Sequence, residues 1–103
     1  MDKLKIEQDI VKVLKNIYDP EIPVNVYDLG LIYEIIVSDD AGVAITMTLT
    51  APNCPVADEL IENVNAGVRD ITGVKDVSIK LTFEPPWDMN YLSEEAKLEL
   101  GML

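Results

Sequence analysis

The spacing of apolar residues switches back and forth between two periods along this chain, and that alternation constrains the fold more than any other feature. Ile6, Ile10, Val13, Leu14 and Ile17 recur at helical spacing and predict an amphipathic helix over roughly residues 2–17. Asp2 stands where an N-cap is wanted. Asp19-Pro20-Glu21 and Pro23 then stop the helix and force a turn followed by extended chain. Leu31, Tyr33, Ile35 and Val37 alternate as a first strand, and Val43, Ile45, Met47 and Leu49 as a second, running to about Thr50. Ser38-Asp39-Asp40-Ala41-Gly42 between them reads as a hairpin loop, so the two strands are expected to pair antiparallel. Helical spacing returns in Ala57, Leu60, Ile61, Val64, Val68 and Ile71, over about 56–71, and Gly73 ends it. Val77, Ile79, Leu81 and Phe83 form a third alternating run that Pro85-Pro86 terminates. Ser93 caps a last short helix through Glu94, Glu95, Ala96 and Leu98, with Gly101 at its end.

The order is αββαβα. It describes an α+β fold, a three-stranded mixed sheet packed against helices, in a single domain over residues 1–103. The pattern leaves open whether the third strand lies beside the first or the second. Asp28-Leu29-Gly30-Leu31 reads as a tight bend into the first strand, with Gly30 free to take a positive φ.

Charge narrows the function classes. Acids outnumber bases 19 to 8, a net charge of −11. Such a surface repels a phosphate backbone, so nucleic acid is a poor partner, and basic protein patches or cations are better ones. The same acidity also serves solubility. No apolar run approaches membrane-spanning length, and the N-terminus alternates charged and apolar residues rather than resembling a signal peptide. The chain has no histidine, which removes the commonest general base and the commonest metal ligand together. Its one cysteine forbids an intrachain disulfide and points to the reducing cytoplasm. The five glycines are scattered and form no phosphate-binding loop.

That cysteine, Cys54, falls in TAPNCP, between the second strand and the second helix. A thiol at a helix N-terminus meets free N–H groups and the positive end of the dipole, which favour the thiolate. Asp58 and Glu59 in the first turn oppose that effect, and the sequence does not decide between them. Two readings stand: a working thiol in a stiff loop beside Asn53, or a small buried hydrophobe. Asp19 and Glu21 flank Pro20 as a site for a metal or partner, or as a plain type I turn. Trp87, the sole tryptophan, is best read as a lid over the open end of the core, with ligand stacking the alternative. A thiol hydrolase is disfavoured, because a cysteine nucleophile needs a base and an orienting partner.

Three separated segments, DPEIPVNVYDLGLIY (19–33), TMTLTAPNCP (46–55) and PPWDMNYLSEEAKLELGML (85–103), resemble the SufT/PaaD-like metal–sulfur cluster biosynthesis family. The resemblance covers nearly the whole chain. It implies a small cytoplasmic α/β module, not an enzyme, that helps to mature iron–sulfur proteins. Some members stand alone and others are fused to P-loop ATPases that carry clusters; this chain has no ATPase domain. By the same resemblance Cys54 is the functional cysteine, Asp19 and Glu21 its acidic turn, and Thr50 a hydroxyl contact to the site. The Pro-Pro-Trp segment at Trp87 belongs to a C-terminal signature.

The implied mechanism is delivery or insertion of a labile cluster through the loop cysteine. Clusters are usually held by four thiolates. One held through Cys54 would be shared across a homodimer, completed by a carboxylate or small thiol, or shared with an apo client or assembly protein. The alternative is an adaptor that links client to assembly machinery and binds no metal.

Overall fold

A computed structural model describes residues 2–19, 22–50 and 57–101. Helix α1 (Lys3–Leu14) is followed by strands β1 (Ile32–Val37) and β2 (Gly42–Met47), helix α2 (Ala57–Arg69), strand β3 (Asp76–Leu81) and helix α3 (Glu94–Glu99). A single 3-10 turn, Met89–Tyr91, precedes α3. The αββαβα order and the α+β class are as the apolar spacing predicts.

The caps follow side-chain chemistry. The Asp2 carboxylate accepts from the Lys5 N–H, and the Ser93 hydroxyl accepts from the Ala96 N–H, each satisfying a donor that the first helical turn leaves orphaned. Helix α1 ends three residues earlier than its apolar spacing suggests. Asn16 and Ile17 donate to Val13 and Leu14 in a tightened last turn, and the Ile17 carbonyl is taken by the Val26 N–H. Extended chain on the far side of Pro23 thus competes for the residues that would continue the helix. An isolated bridge between Tyr18 and Asn25 completes this pairing.

The sheet order is β1-β2-β3, which settles the placement of the third strand. β1 runs antiparallel to β2, with Ile35 opposite Ile45, and β3 runs parallel to β2, with Ile45 opposite Ile79. A parallel pair needs a crossover, and α2 supplies it. The register slips between Ile32 and Glu34, leaving Tyr33 as the extra residue of a bulge.

Alternation sorts the two faces. Val43, Ile45, Met47, Val77 and Val37 point into the core with Ile6, Ile10 and Leu14 of α1 and Leu60, Val64 and Val68 of α2. Glu34, Ile36, Ala44, Ser78 and Lys80 stand exposed on the other face. The two helices touch closely at Gly67, where an added Cβ would come within 2.8 Å of Val13 Cγ1.

Candidate functional site at one end of the sheet

The last residues of β2 and β3 and the first of β1 lie together at one end of the sheet, because Ile32 pairs with Met47 and Met47 with Leu81. Hydrogen bonds carry the structure outward from there. Thr48 N–H donates to Leu31 O at 2.8 Å, Leu31 N–H to Val26 O at 3.2 Å, and Val26 N–H to Ile17 O at 2.8 Å. On the other side Thr82 N–H donates to Met47 O at 2.9 Å. The segment after α1, the end of β2 and the C-terminal tail therefore meet at this end. The 51–56 connection to α2, which contains Cys54, departs from it at Thr50.

Asp19 is buried, and its Oδ1 accepts from Ile22 N–H at 3.1 Å while its own N–H donates to Val24 O at 3.2 Å. The Pro20-Glu21 centre of the expected turn lies outside the described residues, while the Asp19 carboxylate holds the Ile22 amide. This also accounts for an aspartate just past a helix C-terminus, where the dipole disfavours it. The helix has already ended at Leu14, and the side chain accepts from the Ile22 N–H instead.

A second turn follows at once. Asn25 Oδ1 accepts from Asp28 N–H, and Asn25 Nδ2 donates to Asp28 Oδ2, both at 2.8 Å. Leu29 N–H closes one helical turn on Asn25 O at 3.0 Å. Gly30 leaves that turn at φ +79°, as its bend requires. The space beside it is already filled: an ideal Cβ would lie 2.4 Å from Tyr91 O. The three-residue spacing of Asn25 from Asp28 is the sequence signal of such a turn.

The C-terminal tail is fastened onto this turn. Trp87 is half-buried against the core, and its Nε1–H donates to Leu29 O at 2.7 Å. The apolar body of the ring packs on the core and its polar edge is satisfied. Ser93 N–H donates to Asp28 O at 2.8 Å, and Tyr33 Oη donates to Pro85 O at 2.8 Å. Tyr33 and Tyr91 meet edge to face with ring centroids 6.0 Å apart. Burial pushes the Tyr33 phenol up from its ordinary pKa, Tyr91 adds to that, and the Thr48 hydroxyl pulls weakly the other way. That hydroxyl is itself fully buried and closes no regular hydrogen bond among the described residues.

Of the residues singled out in the sequence, Asp19, Thr50 and Trp87 all sit on segments joined to this end of the sheet, with Thr50 half-buried in the bend after β2. Glu21, Asn53 and Cys54 lie outside the described residues. Among the described residues, no three histidine, cysteine, aspartate or glutamate side chains converge to hold a metal ion. None of the described helices is long and apolar enough to cross a membrane.

Fold and site together define a class: a small α+β domain whose connection after β2 carries the only cysteine. The chain belongs to the iron–sulfur cluster assembly protein family, which it matches over residues 7–81. It is 61% identical over 100 residues to an Fe-S protein maturation auxiliary factor of Porphyromonas gingivalis, covering 97% of this chain and 95% of that one. It is 34% identical over 97 residues to the Fe-S protein maturation auxiliary factor YitW of Bacillus subtilis, covering 94% and 95% of the two. A crystal structure of a domain of unknown function from Bacillus anthracis superposes with a TM-score of 0.89 at 28% identity, covering 97% of this chain and 95% of that one.

Proposed function

We propose that this chain is a non-enzymatic maturation factor that brings apo iron–sulfur proteins together with the cluster assembly machinery, acting as an adaptor rather than as the holder of a stable cluster. The observation that carries this reading is the donor count. The chain has one cysteine and no histidine, against the four thiolates a cluster usually takes. Two of the described carboxylates at this end of the sheet are engaged in local hydrogen bonds: Asp19 accepts from Ile22 N–H and Asp28 from Asn25. Family membership and relatives that are Fe-S protein maturation auxiliary factors support maturation as the process. A net charge of −11 favours partners with basic surfaces.

The second reading keeps Cys54 as a transient ligand, and the presence of a single thiol in the connection after β2 favours it. The cluster would then be cargo, shared between two copies of the chain or with a partner. Asp19, Glu21, Thr50, Asn53 and Trp87 would shape the surroundings. A lone thiolate exchanges one cluster ligand at a time with an incoming client cysteine, which suits a donor.

Anaerobic reconstitution with iron and sulfide, on the wild type and Cys54→Ala in parallel, separates the two. The adaptor reading expects equal, background iron in both proteins and unchanged capture of assembly proteins. Charge-transfer absorption with a dimer mass, both lost in Cys54→Ala, would replace it with the cluster-donor reading.

A further inference from the structure

Two shallow hollows flank the Tyr33 bulge on the side of the sheet where β1 is an edge strand. One, of about 340 Å³, is lined by Gly30, Ile32, Tyr33, Pro85 and Tyr91. The other, of about 330 Å³, is lined by Tyr27, Ile32, Tyr33, Glu34 and Ile35. They share Ile32 and Tyr33 and so adjoin there, as a two-part groove with β1 residues at one end and the C-terminal tail at the other. Among the described residues nothing but β2 pairs with β1. An open edge is a template for a further strand.

The lining is aromatic and aliphatic, and Glu34 alone among these residues carries a charge. Exposed Glu84 and Asp88 bracket the Pro-Pro-Trp segment beside it. Two bases stand against these three acids: Lys15 lies over the Tyr27 ring, 5.5 Å from its centroid, and Lys80 shares the register of Glu34 two strands away, with Thr46 of β2 between them. Rigid walls add to the case. Tyr33 is tied to Pro85, Trp87 to Leu29, and Tyr91 packs on Gly30, so the groove exists before any ligand arrives.

We infer that this groove docks an extended segment of a partner protein, one apolar or aromatic anchor flanked by lysine or arginine, added along the free edge of β1. Charge complementarity chooses the occupant. An acidic rim on a chain of net charge −11 repels a second copy of itself and an acidic segment alike, and accepts a basic one. The inference adds a contact surface to the adaptor reading but does not depend on Cys54, so failure of the groove leaves that reading standing.

The test is a titration of the isotope-labelled full chain with two synthetic peptides, followed by amide shifts. Both carry a central tryptophan between alternating valines; one has lysines at its ends and the other glutamates. The lysine peptide is expected to shift the amides of Gly30, Ile32 to Ile35 and Tyr91, and to weaken several-fold as salt is raised. Glu34→Lys, an exposed position whose reversal leaves the core untouched, is expected to weaken binding several-fold more. Equal shifts with the glutamate peptide, shifts confined to other surfaces, or none at millimolar peptide would overturn the inference. So would shifts of the groove amides that follow the concentration of the protein itself, which would make the groove a self-contact.

Discussion

The indole Nε1 of Trp87 donates to the carbonyl oxygen of Leu29 across 58 residues of sequence. It is one of three consecutive attachments. Asp28 O accepts from Ser93 N–H, Leu29 O accepts from Trp87, and Gly30 packs directly on Tyr91. The Asp-Leu-Gly bend is thereby the seat of the whole C-terminal tail.

Trp87→Phe keeps most of the apolar body and removes the donor, leaving Leu29 O unpaired beside the core. A loss of about 1–2 kcal/mol is expected, read by urea unfolding followed by circular dichroism. No change in stability would mean that water replaces the indole without cost.

Two glycines separate steric from conformational cost. Gly30 and Gly101 both sit at positive φ, +79° and +73°. At Gly101 an added Cβ meets nothing within 4 Å, while at Gly30 it meets the Tyr91 backbone at 2.4 Å. Gly101→Ala is expected to cost about 1 kcal/mol of left-handed strain alone. Gly30→Ala is expected to cost well above 2 kcal/mol, because a backbone atom cannot rotate away. Near-equal losses would show that the tail can lift from the bend.

The elements were legible in the sequence wherever one apolar face repeats over several turns or pleats, as in Ile6, Ile10 and Leu14 or Val43, Ile45 and Met47. So were the caps at Asp2 and Ser93, whose chemistry is local. The early end of α1 was not, because the competitor for Ile17 is Val26, beyond an intervening turn. The parallel neighbour of β3 was not either, since alternation orients a strand's faces without naming its partner. At the site, the Gly30 bend could be read from its residues. The tail clamp could not, because a single indole and a carbonyl far apart in sequence leave no pattern.

The hairpin at the opposite end of the sheet carries a pH signature. The Asp40 carboxylate is held below its ordinary pKa first by the Ser38 hydroxyl, then by its own backbone N–H and that of Gly42, with Lys75 assisting from further off. A lowered folded-state pKa stabilises the fold above the unfolded carboxylate value, around pH 4, and that contribution disappears as pH falls through the lower folded value. Ser38→Ala is expected to raise the Asp40 pKa toward the ordinary range and so lessen the acid-side loss attributable to this group. Carboxyl carbon titration by NMR reads the shift directly; an unmoved Asp40 would assign the effect to the backbone donors instead.

Thr48 offers the sharpest test of the site's polarity. Its side chain is fully buried, and among the described residues its Oγ1 closes no regular hydrogen bond, only a weak contact to the Tyr33 hydroxyl. Its backbone N–H already holds Leu31, so the hydroxyl is not needed for the sheet to extend. A buried hydroxyl so poorly paired recovers little of a desolvation cost of about 1–3 kcal/mol. Thr48→Val, nearly equal in shape, is therefore expected to stabilise the fold by about 1 kcal/mol in urea unfolding. The same change removes the one group that pulls the Tyr33 pKa down, so the Tyr33 phenolate is expected to appear at higher pH in its near-ultraviolet absorbance. A destabilised Thr48→Val with an unmoved Tyr33 would show that the hydroxyl is satisfied in solution by a bound water. A stabilised variant that no longer supports client maturation would place that hydroxyl in the working surface of the protein, at the sheet end from which the Cys54 connection departs.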